Sequence, residues 1–164
     1  MRALYLAILF LFICSQLDFP WKKITFSDAQ TMAIHSSKII MIDFYADWWG
    51  ACNRLDTDTF TDKDIINFSK ANFINIKVNT DTDGGLELFK QFHGVSLPTI
   101  LFTDSKGNEV DRLIGYYDSD SFLRKINDIS NNINTLDHFI KSYAIHPDST
   151  ILSLQIGNKY LERN

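Results

Sequence analysis

Residues 39–55 have the sequence I-I-M-I-D-F-Y-A-D-W-W-G-A-C-N-R-L. The apolar run at the start, flanked by turn signals, predicts a buried strand that carries one acid, Asp43. A turn containing Gly50 follows, and the residues after Cys52 predict a helix that begins near this sulfur. Because the free N–H groups and the dipole of a helix N-terminus stabilise negative charge, this position favours a thiolate at Cys52.

The composition is that of one ordinary globular domain. The chain has 164 residues, of which 45% are hydrophobic and 22% charged, enough to form a substantial core. Its 20 acidic and 16 basic residues give a formal net charge of −4. Domains that bind nucleic acids present basic faces, so this balance argues against a nucleic-acid partner.

The N-terminus has the pattern of a secretory signal peptide. Met1 and Arg2 supply a positive start, and residues 3–13 form an apolar run too short to span a bilayer. Residues 1–16 are therefore predicted to be a signal peptide, and the mature protein to be periplasmic or secreted. The alternatives are an uncleaved membrane anchor and lipidation of Cys14, which the bulky Ile13 disfavours.

The cysteine count limits the possible chemistry. The chain has two cysteines, Cys14 and Cys52, and the first lies in the predicted signal peptide. Removal of that segment leaves Cys52 as the only thiol, so the mature chain has no internal disulfide. An unpaired cysteine in an exported protein is either buried and inert or reacts with another molecule.

Between residues 20 and 131 the pattern alternates strands and helices. Strands are predicted at 21–26, 39–46, 73–78, 99–102 and 109–114, with a hairpin turn at 104–108. Helices are predicted at 27–37, 52–60, 62–70, 86–93 and 119–130. The first begins at Ser27 because Ser27 and Gln30 have capping-box spacing. The order β-α-β-α-β-α-β-β-α predicts an α/β fold, a mixed central sheet flanked by helices.

Residues 132–164 lie outside that pattern and are predicted to form a short C-terminal helical extension. Helices are expected at 135–143 and 148–161. The element Ile156-Gly157-x-x-Tyr160 resembles the L-G-x-x-Y part of a tetratricopeptide helix, but a repeat array needs several units. The extension is therefore either a helical pair packed on the domain or a partial repeat. Its abrupt end at 161–164 is consistent with a truncated chain.

Two motifs resemble the thioredoxin family. D-F-Y-A-D-W-W-G-A-C-N at 43–53 resembles the active-site segment D-F-W-A-x-W-C-x-x-C-K, and G-V-S-L-P-T-I-L-F at 94–102 resembles the cis-proline loop. The resemblance covers roughly residues 20–131 and implies a thioredoxin-like domain there. A-D-W-x-x-A-C-x-x-x-x-x-x-T-F at 46–60 is similar to extracytoplasmic thioredoxin-family proteins and to the reductase domain of thiol:disulfide interchange proteins.

The resemblance implies catalytic roles for three residues. In the family the first cysteine attacks a client disulfide and the second resolves the mixed disulfide. Trp49 stands at the attacking position and Cys52 at the resolving one, so Cys52 either exchanges with an external thiol or is a packed, vestigial thiol. Asp43 matches the family's buried acid and Lys77 the lysine beside it. This pair either handles the proton of Cys52 or is a structural relic.

The resemblance also implies a peptide-binding surface. Pro98 matches the cis-proline, and Leu97 matches the residue whose backbone pairs with a bound peptide. Trp48, Trp49, Leu97 and Pro98 are predicted to line an apolar surface that binds substrate. The alternative is that Trp49 merely covers the turn.

These features predict an exported thioredoxin-family protein of thiol–disulfide exchange with a degenerate, single-cysteine W-G-A-C site. Its redox activity is expected to be weak or to depend on a partner, a client protein or peptide that contains a thiol or disulfide. The alternative is a non-catalytic module that binds peptides or proteins through the cis-proline surface. A third possibility is that Trp49, one base from a cysteine codon, is peculiar to this isolate.

We expect a monomer without a metal or cofactor, and a membrane link only through residues 1–16. The four histidines, His35, His93, His138 and His146, lack ligand spacing with Cys52. The chain has no glycine-rich phosphate loop. The stretch Asp81-x-Asp83-Gly84 lacks the remaining ligands of a calcium loop.

Overall fold

A four-stranded mixed sheet forms the centre of the computed structural model, which describes residues 18–163. The strands are β1 (Ile39–Tyr45), β2 (Phe73–Asn79), β3 (Thr99–Thr103) and β4 (Glu109–Ile114), and their order in the sheet is β2-β1-β3-β4. β1 is parallel to β2 and antiparallel to β3, which pairs antiparallel with β4. The predicted mixed sheet is therefore confirmed.

Helices flank the sheet, as the alternating pattern predicts. They are α1 (Phe26–Ser36), α2 (Gly50–Arg54), α3 (Lys63–Asn72), α4 (Asp83–Gln91), α5 (Ser119–Ser130), α6 (Leu136–Ile145) and α7 (Thr150–Leu161). None of these helices is long and apolar enough to cross a membrane. The predicted signal peptide at 1–16 lies outside the described residues.

The helix predicted from Cys52 to residue 60 is not a regular α-helix. After α2 the chain forms a π-helical turn at Leu55–Thr59. The N–H of Phe60 donates to the carbonyl of Leu55, five residues earlier, at 2.8 Å. The wider turn changes which side chains face the core after Cys52.

The strand predicted at 21–26 is wrong. In this segment only Lys22 pairs with the sheet, through an isolated bridge to Ile76. Trp21 instead packs against Phe19 and Phe60, with ring centroids 4.3 and 5.1 Å away. Aromatic packing, more than a ladder of hydrogen bonds, attaches this segment to the edge of the sheet.

Two helices begin earlier than predicted because threonines cap them. The Thr25 hydroxyl accepts from the N–H of Asp28, and the Asp28 carboxylate accepts from the N–H of Thr25, so the capping box begins at Thr25 and not at Ser27. The Thr82 hydroxyl accepts from the N–H of Gly85, and α4 therefore begins at Asp83. In both cases an upstream hydroxyl satisfies a donor of the first turn.

The strand alternation gives the sheet two buried faces. Ile40, Ile42 and Phe44 of β1 belong to one apolar cluster, with Ala29 and Ala33 of α1. Met41 belongs to the opposite cluster, and this face is covered by side chains from α3 and α5. Because side chains alternate along a strand, Asp43 points to the same face as Met41.

The C-terminal helices are present and attach to the edge strand. α6 packs against β4 and against α7. The Nζ of Lys159 in α7 lies 2.5 Å from the carboxylate of Asp111 in β4, which is 3% exposed. Arg163 lies 2.7 Å from Glu109 of the same strand. A largely buried ionic cluster therefore holds α7 to the sheet.

We expect Lys159→Met to lower the free energy of unfolding by about 2–3 kcal/mol, because the buried carboxylate of Asp111 then loses its nearest cation. Lys141→Met is the matched control, since Lys141 pairs with Asp137 but is 70% exposed, and exposed pairs contribute about 0–1 kcal/mol. Urea unfolding followed by circular dichroism measures both variants. Equally small losses in the two would contradict the assignment.

Candidate functional site

Cys52 lies in the first turn of α2, directly after the turn that leaves β1. Trp49 occupies the N-cap position with an extended backbone, φ −90° and ψ 116°. Its carbonyl accepts from the N–H of Cys52 at 3.0 Å. Its side chain makes no capping hydrogen bond to the helix. The structure thus places the thiol at a helix start, following the strand that contains Asp43.

Burial dominates the environment of this thiol. Cys52 is unpaired and only 3% exposed. Burial raises the pKa of Cys52, and the carboxylate of Asp43 adds to the rise, while a backbone hydrogen bond from Ala46 lowers it in part. Burial therefore opposes the thiolate that the position at a helix start would favour.

Asp43, Lys77 and Asp56 form a charge cluster in which Asp43 is buried and the other two side chains are partly exposed. Asp43 and Lys77 are directly paired positions of the parallel strands β1 and β2. The Nζ of Lys77 lies 3.3 Å from Oδ2 of Asp43 and also forms a hydrogen bond with the carboxylate of Asp56. The other oxygen of Asp43, Oδ1, is buried without a hydrogen-bond partner. Lys77 therefore pairs with two carboxylates, and Oδ1 of Asp43 accepts no hydrogen bond from the described residues.

The cluster shifts the protonation of its members. Burial raises the pKa of Asp43 to about 7; Lys77 opposes this rise and the negative charge of Asp56 adds to it. Burial alone would lower the pKa of Lys77, but the two carboxylates outweigh it, so the pKa of Lys77 is raised and the ammonium stays charged. A carboxyl group that titrates near neutral pH can both accept and donate a proton under physiological conditions.

The sequence analysis missed Asp56. It lies in the π-helical turn, four residues after Cys52. Residues four apart lie on one helix face, so the spacing from Cys52 to Asp56 was an available signal. The partner on Lys77 could not be foreseen because it depends on how the turn packs against β2.

The two tryptophans of the turn are exposed. Trp48 is 68% and Trp49 43% exposed, and their rings meet edge to face with centroids 5.5 Å apart. The indole N–H of Trp48 donates to the carboxylate of Asp81, at 3.0 and 3.1 Å to its two oxygens. Trp48 and Asp81 are 33 positions apart, and no short-range sequence pattern predicts this contact.

The loop before β3 lies beside the same end of β1. The Leu97–Pro98 peptide bond is cis. Pro98 is buried and Leu97 half-buried. Thr99, the next residue, pairs with Phe44 near the end of β1. The sheet register therefore brings the predicted binding residues, two on the turn and two on this loop, to one end of the sheet.

Across residues 18–163, no three His, Cys, Asp or Glu side chains converge in a way that could hold a metal ion. The site offers a buried thiol, a buried carboxyl group and an exposed aromatic surface.

The sequence of this chain is similar to those of known thiol:disulfide interchange proteins. The thiol:disulfide interchange protein DsbD of Haemophilus influenzae is 32% identical over 111 residues, which cover 66% of this chain and 19% of that protein. DsbD of Yersinia pestis is 35% identical over 99 residues, or 58% of this chain and 16% of that protein. The chain thus spans less than a fifth of the length of these relatives.

A solved structure and a family model also match this chain. The solution structure of a candidate disulphide isomerase from Bacteroides thetaiotaomicron is 28% identical and covers 68% of this chain and 93% of its own, with a TM-score of 0.61. The family model of the thioredoxin-like domain matches residues 26–130, more than half of the chain. The protein therefore belongs to the thioredoxin-like domain family.

Proposed function

We propose that this chain is an exported protein of thiol–disulfide exchange in which Cys52 is the only exchanging sulfur, so that its activity is weak or depends on a partner. The observation that carries the proposal is the buried carboxyl group of Asp43 in the strand that leads to Cys52: its Oδ1 has no hydrogen-bond partner among residues 18–163, and burial raises its pKa to about 7, which suits it to take the thiol proton. Burial of a carboxylate on the core side of a strand costs free energy of folding, which a role in proton transfer would explain.

The exchange step follows from these groups. The carboxylate of Asp43 accepts the proton of Cys52, and the resulting thiolate attacks one sulfur of a client disulfide. A mixed disulfide forms between Cys52 and the client, and the second client sulfur leaves as a thiolate. A second thiol, from the client or from a small molecule, must then release Cys52, because Trp49 stands where the family's other cysteine would act.

Burial explains why the activity should be weak. Nucleophilic attack requires the thiolate, and burial raises the pKa of Cys52 while it also restricts access to the sulfur. A client that displaces Trp49 from the start of α2 would expose the sulfur. Partner dependence is therefore the expected behaviour of this site.

The class of client is inferred from the relatives, and the location of the protein from its N-terminal sequence. The matched relatives are named thiol:disulfide interchange proteins, which supports a client with a thiol or disulfide group. Residues 1–16 have the features of a signal peptide, which supports an extracytoplasmic location, periplasmic or secreted, with a membrane anchor as the alternative. We propose a domain at 20–131, with a helical extension after it.

A second candidate function is supported by the exposure of the two tryptophans. Trp48 is 68% exposed, and buried aromatic anchors commonly supply much of the energy of an interface. Together with the half-buried Leu97 they would form a peptide-binding surface that needs no sulfur chemistry, while the buried Pro98 would fix the path of the loop without contacting the peptide. The protein would then be a non-catalytic binding module.

We expect the natural protein to reduce insulin disulfides only slowly with a dithiol donor, and Trp49→Cys to raise the rate at least tenfold. The variant restores the two-cysteine spacing while Asp43, Lys77 and Pro98 stay in place. Trp48→Cys is the matched control, because it adds a thiol to the same turn at a spacing that should not support rapid exchange. Equal rates in all three proteins would contradict the proposal.

The two candidate functions differ in the variant that abolishes client capture. Exchange at Cys52 requires that Cys52→Ser abolish a covalent complex in non-reducing pull-downs from periplasmic extract. A binding module requires instead that Trp49→Ala weaken capture, by about 2 kcal/mol, while Cys52→Ser leaves it intact. Capture that survives both changes would place the partner surface elsewhere.

The pKa of Asp43 also predicts how stability depends on pH. Between the ordinary value of 3.8 and about 7, the folded protein binds more protons at Asp43 than the unfolded chain does. The free energy of unfolding therefore falls as pH rises through this window. Asp43→Asn removes the titrating group, so its stability relative to the natural protein should increase by roughly 2–3 kcal/mol from pH 5 to pH 8.

Urea unfolding at several pH values measures this difference. The exposed Asp120→Asn serves as the control and should show almost no pH-dependent difference. A constant offset between Asp43→Asn and the natural protein across the whole range would show that Asp43 does not titrate near neutral pH.

A further inference from the structure

We infer that the surface formed by Trp48, Trp49 and the two carboxylates beside them, Asp47 and Asp81, selects client segments that carry a lysine or arginine. This inference rests on the proposed client binding at the turn, since it names the class of client that the same surface takes. It holds for both candidate functions, because either one requires a client to lie on the tryptophans.

The two indoles form a corner suited to a cation. Their ring planes meet at 82° with centroids 5.5 Å apart, and both rings are substantially exposed. The face of an indole carries negative charge and attracts an ammonium or guanidinium group within about 6 Å of its centroid. A purely apolar client would bury these faces but would leave the neighbouring charges unmatched.

Hydrogen bonds fix both carboxylates at this corner. Asp81 accepts the indole N–H of Trp48 at 3.0 and 3.1 Å. The side chain of Asn79 donates to the carboxylate of Asp47 at 3.0 Å, and its oxygen accepts the backbone N–H of Asp81 at 2.8 Å. Asn79 therefore ties the two acidic residues together, so that they face a client as one group.

These carboxylates have no cation of their own. The ion pairs formed among residues 18–163 include neither Asp47 nor Asp81. Two more exposed acids, Asp83 and Glu87, follow on α4, whose one basic residue, Lys90 in the last turn, forms none of these ion pairs. Negative charge without an internal partner, beside an exposed aromatic corner, is complementary to a positively charged segment and repels an acidic one.

The test uses three capped nine-residue peptides of sequence G-V-V-x-S-x-V-V-G, in which x is Lys, Gln or Glu. Each is titrated into the ¹⁵N-labelled protein while the indole N–H signals are followed by NMR. We expect the signals of Trp48 and Trp49 to shift and that of Trp21, whose ring packs against Phe19 and Phe60, to stay in place. The Lys peptide should bind about three- to tenfold more tightly than the Gln peptide, and the Glu peptide least tightly.

Asp81→Asn separates charge from structure, because the amide oxygen can still accept the indole N–H of Trp48. We expect this variant to lose most of the preference for Lys over Gln, while Asp120→Asn, which changes the net charge equally on α5, keeps it. Raising the NaCl concentration from 50 to 500 mM should also reduce the preference in the natural protein.

The outcomes distinguish this inference from the proposed function. Binding of all three peptides with equal affinity would overturn the charge selection and leave client binding at the turn intact. Absence of shifts at Trp48 and Trp49 with every peptide would overturn this inference and the binding-module candidate, whereas exchange at Cys52 is tested separately by the insulin assay and the pull-downs. A preference for Lys that is unchanged in Asp81→Asn would overturn the assignment of the selection to this corner.

Discussion

The burial of a carboxyl group in the central strand constrains this part of the molecule. Removing an ionised carboxylate from water costs several kcal/mol unless it is paired, and Asp43 is 2% exposed. The pairing of β1 with β2 places Lys77 beside Asp43, and the turn after α2 places Asp56 beside Lys77. The charges of all three residues influence the pKa of Cys52.

The sequence predicts the elements well where local pattern decides them. β4 and α5 have the bounds that alternation and helical spacing indicate. The predictions are wrong where two local structures are equally compatible with the sequence and contacts with the rest of the fold decide between them. Thr25 and Ser27 are both good caps, and Trp21 satisfies both strand and aromatic-packing preferences. The pairing of Asp56 with Lys77 joins residues that are 21 positions apart, and no short-range pattern contains that information.

The turn between β1 and α2 separates two kinds of interaction. Cys52 is buried, and the loss of water around its sulfur raises its pKa. Trp48 and Trp49 are exposed to solvent, so the apolar area and the charge of this surface determine which clients bind there. Trp49 belongs to both environments, since its carbonyl starts the helix that carries Cys52 and its ring is open to solvent. Trp49 thus joins the exposed surface of the turn to the helix that carries the buried sulfur.

The π-helical turn has a consequence for the length of this segment. In a regular α-helix, residues five positions apart point about 140° away from each other. Leu55 and Phe60 nevertheless both enter the same core cluster, because the wider turn brings them back into phase. Loss of one residue between them would leave them four positions apart, about 40° in a regular α-helix, so an ordinary α-helical turn would keep both side chains on the core face. The stretch from Cys52 to Phe60 should thus tolerate the loss of one exposed residue better than the gain of one, because the π-helical turn already contains one residue more than a regular α-helical turn.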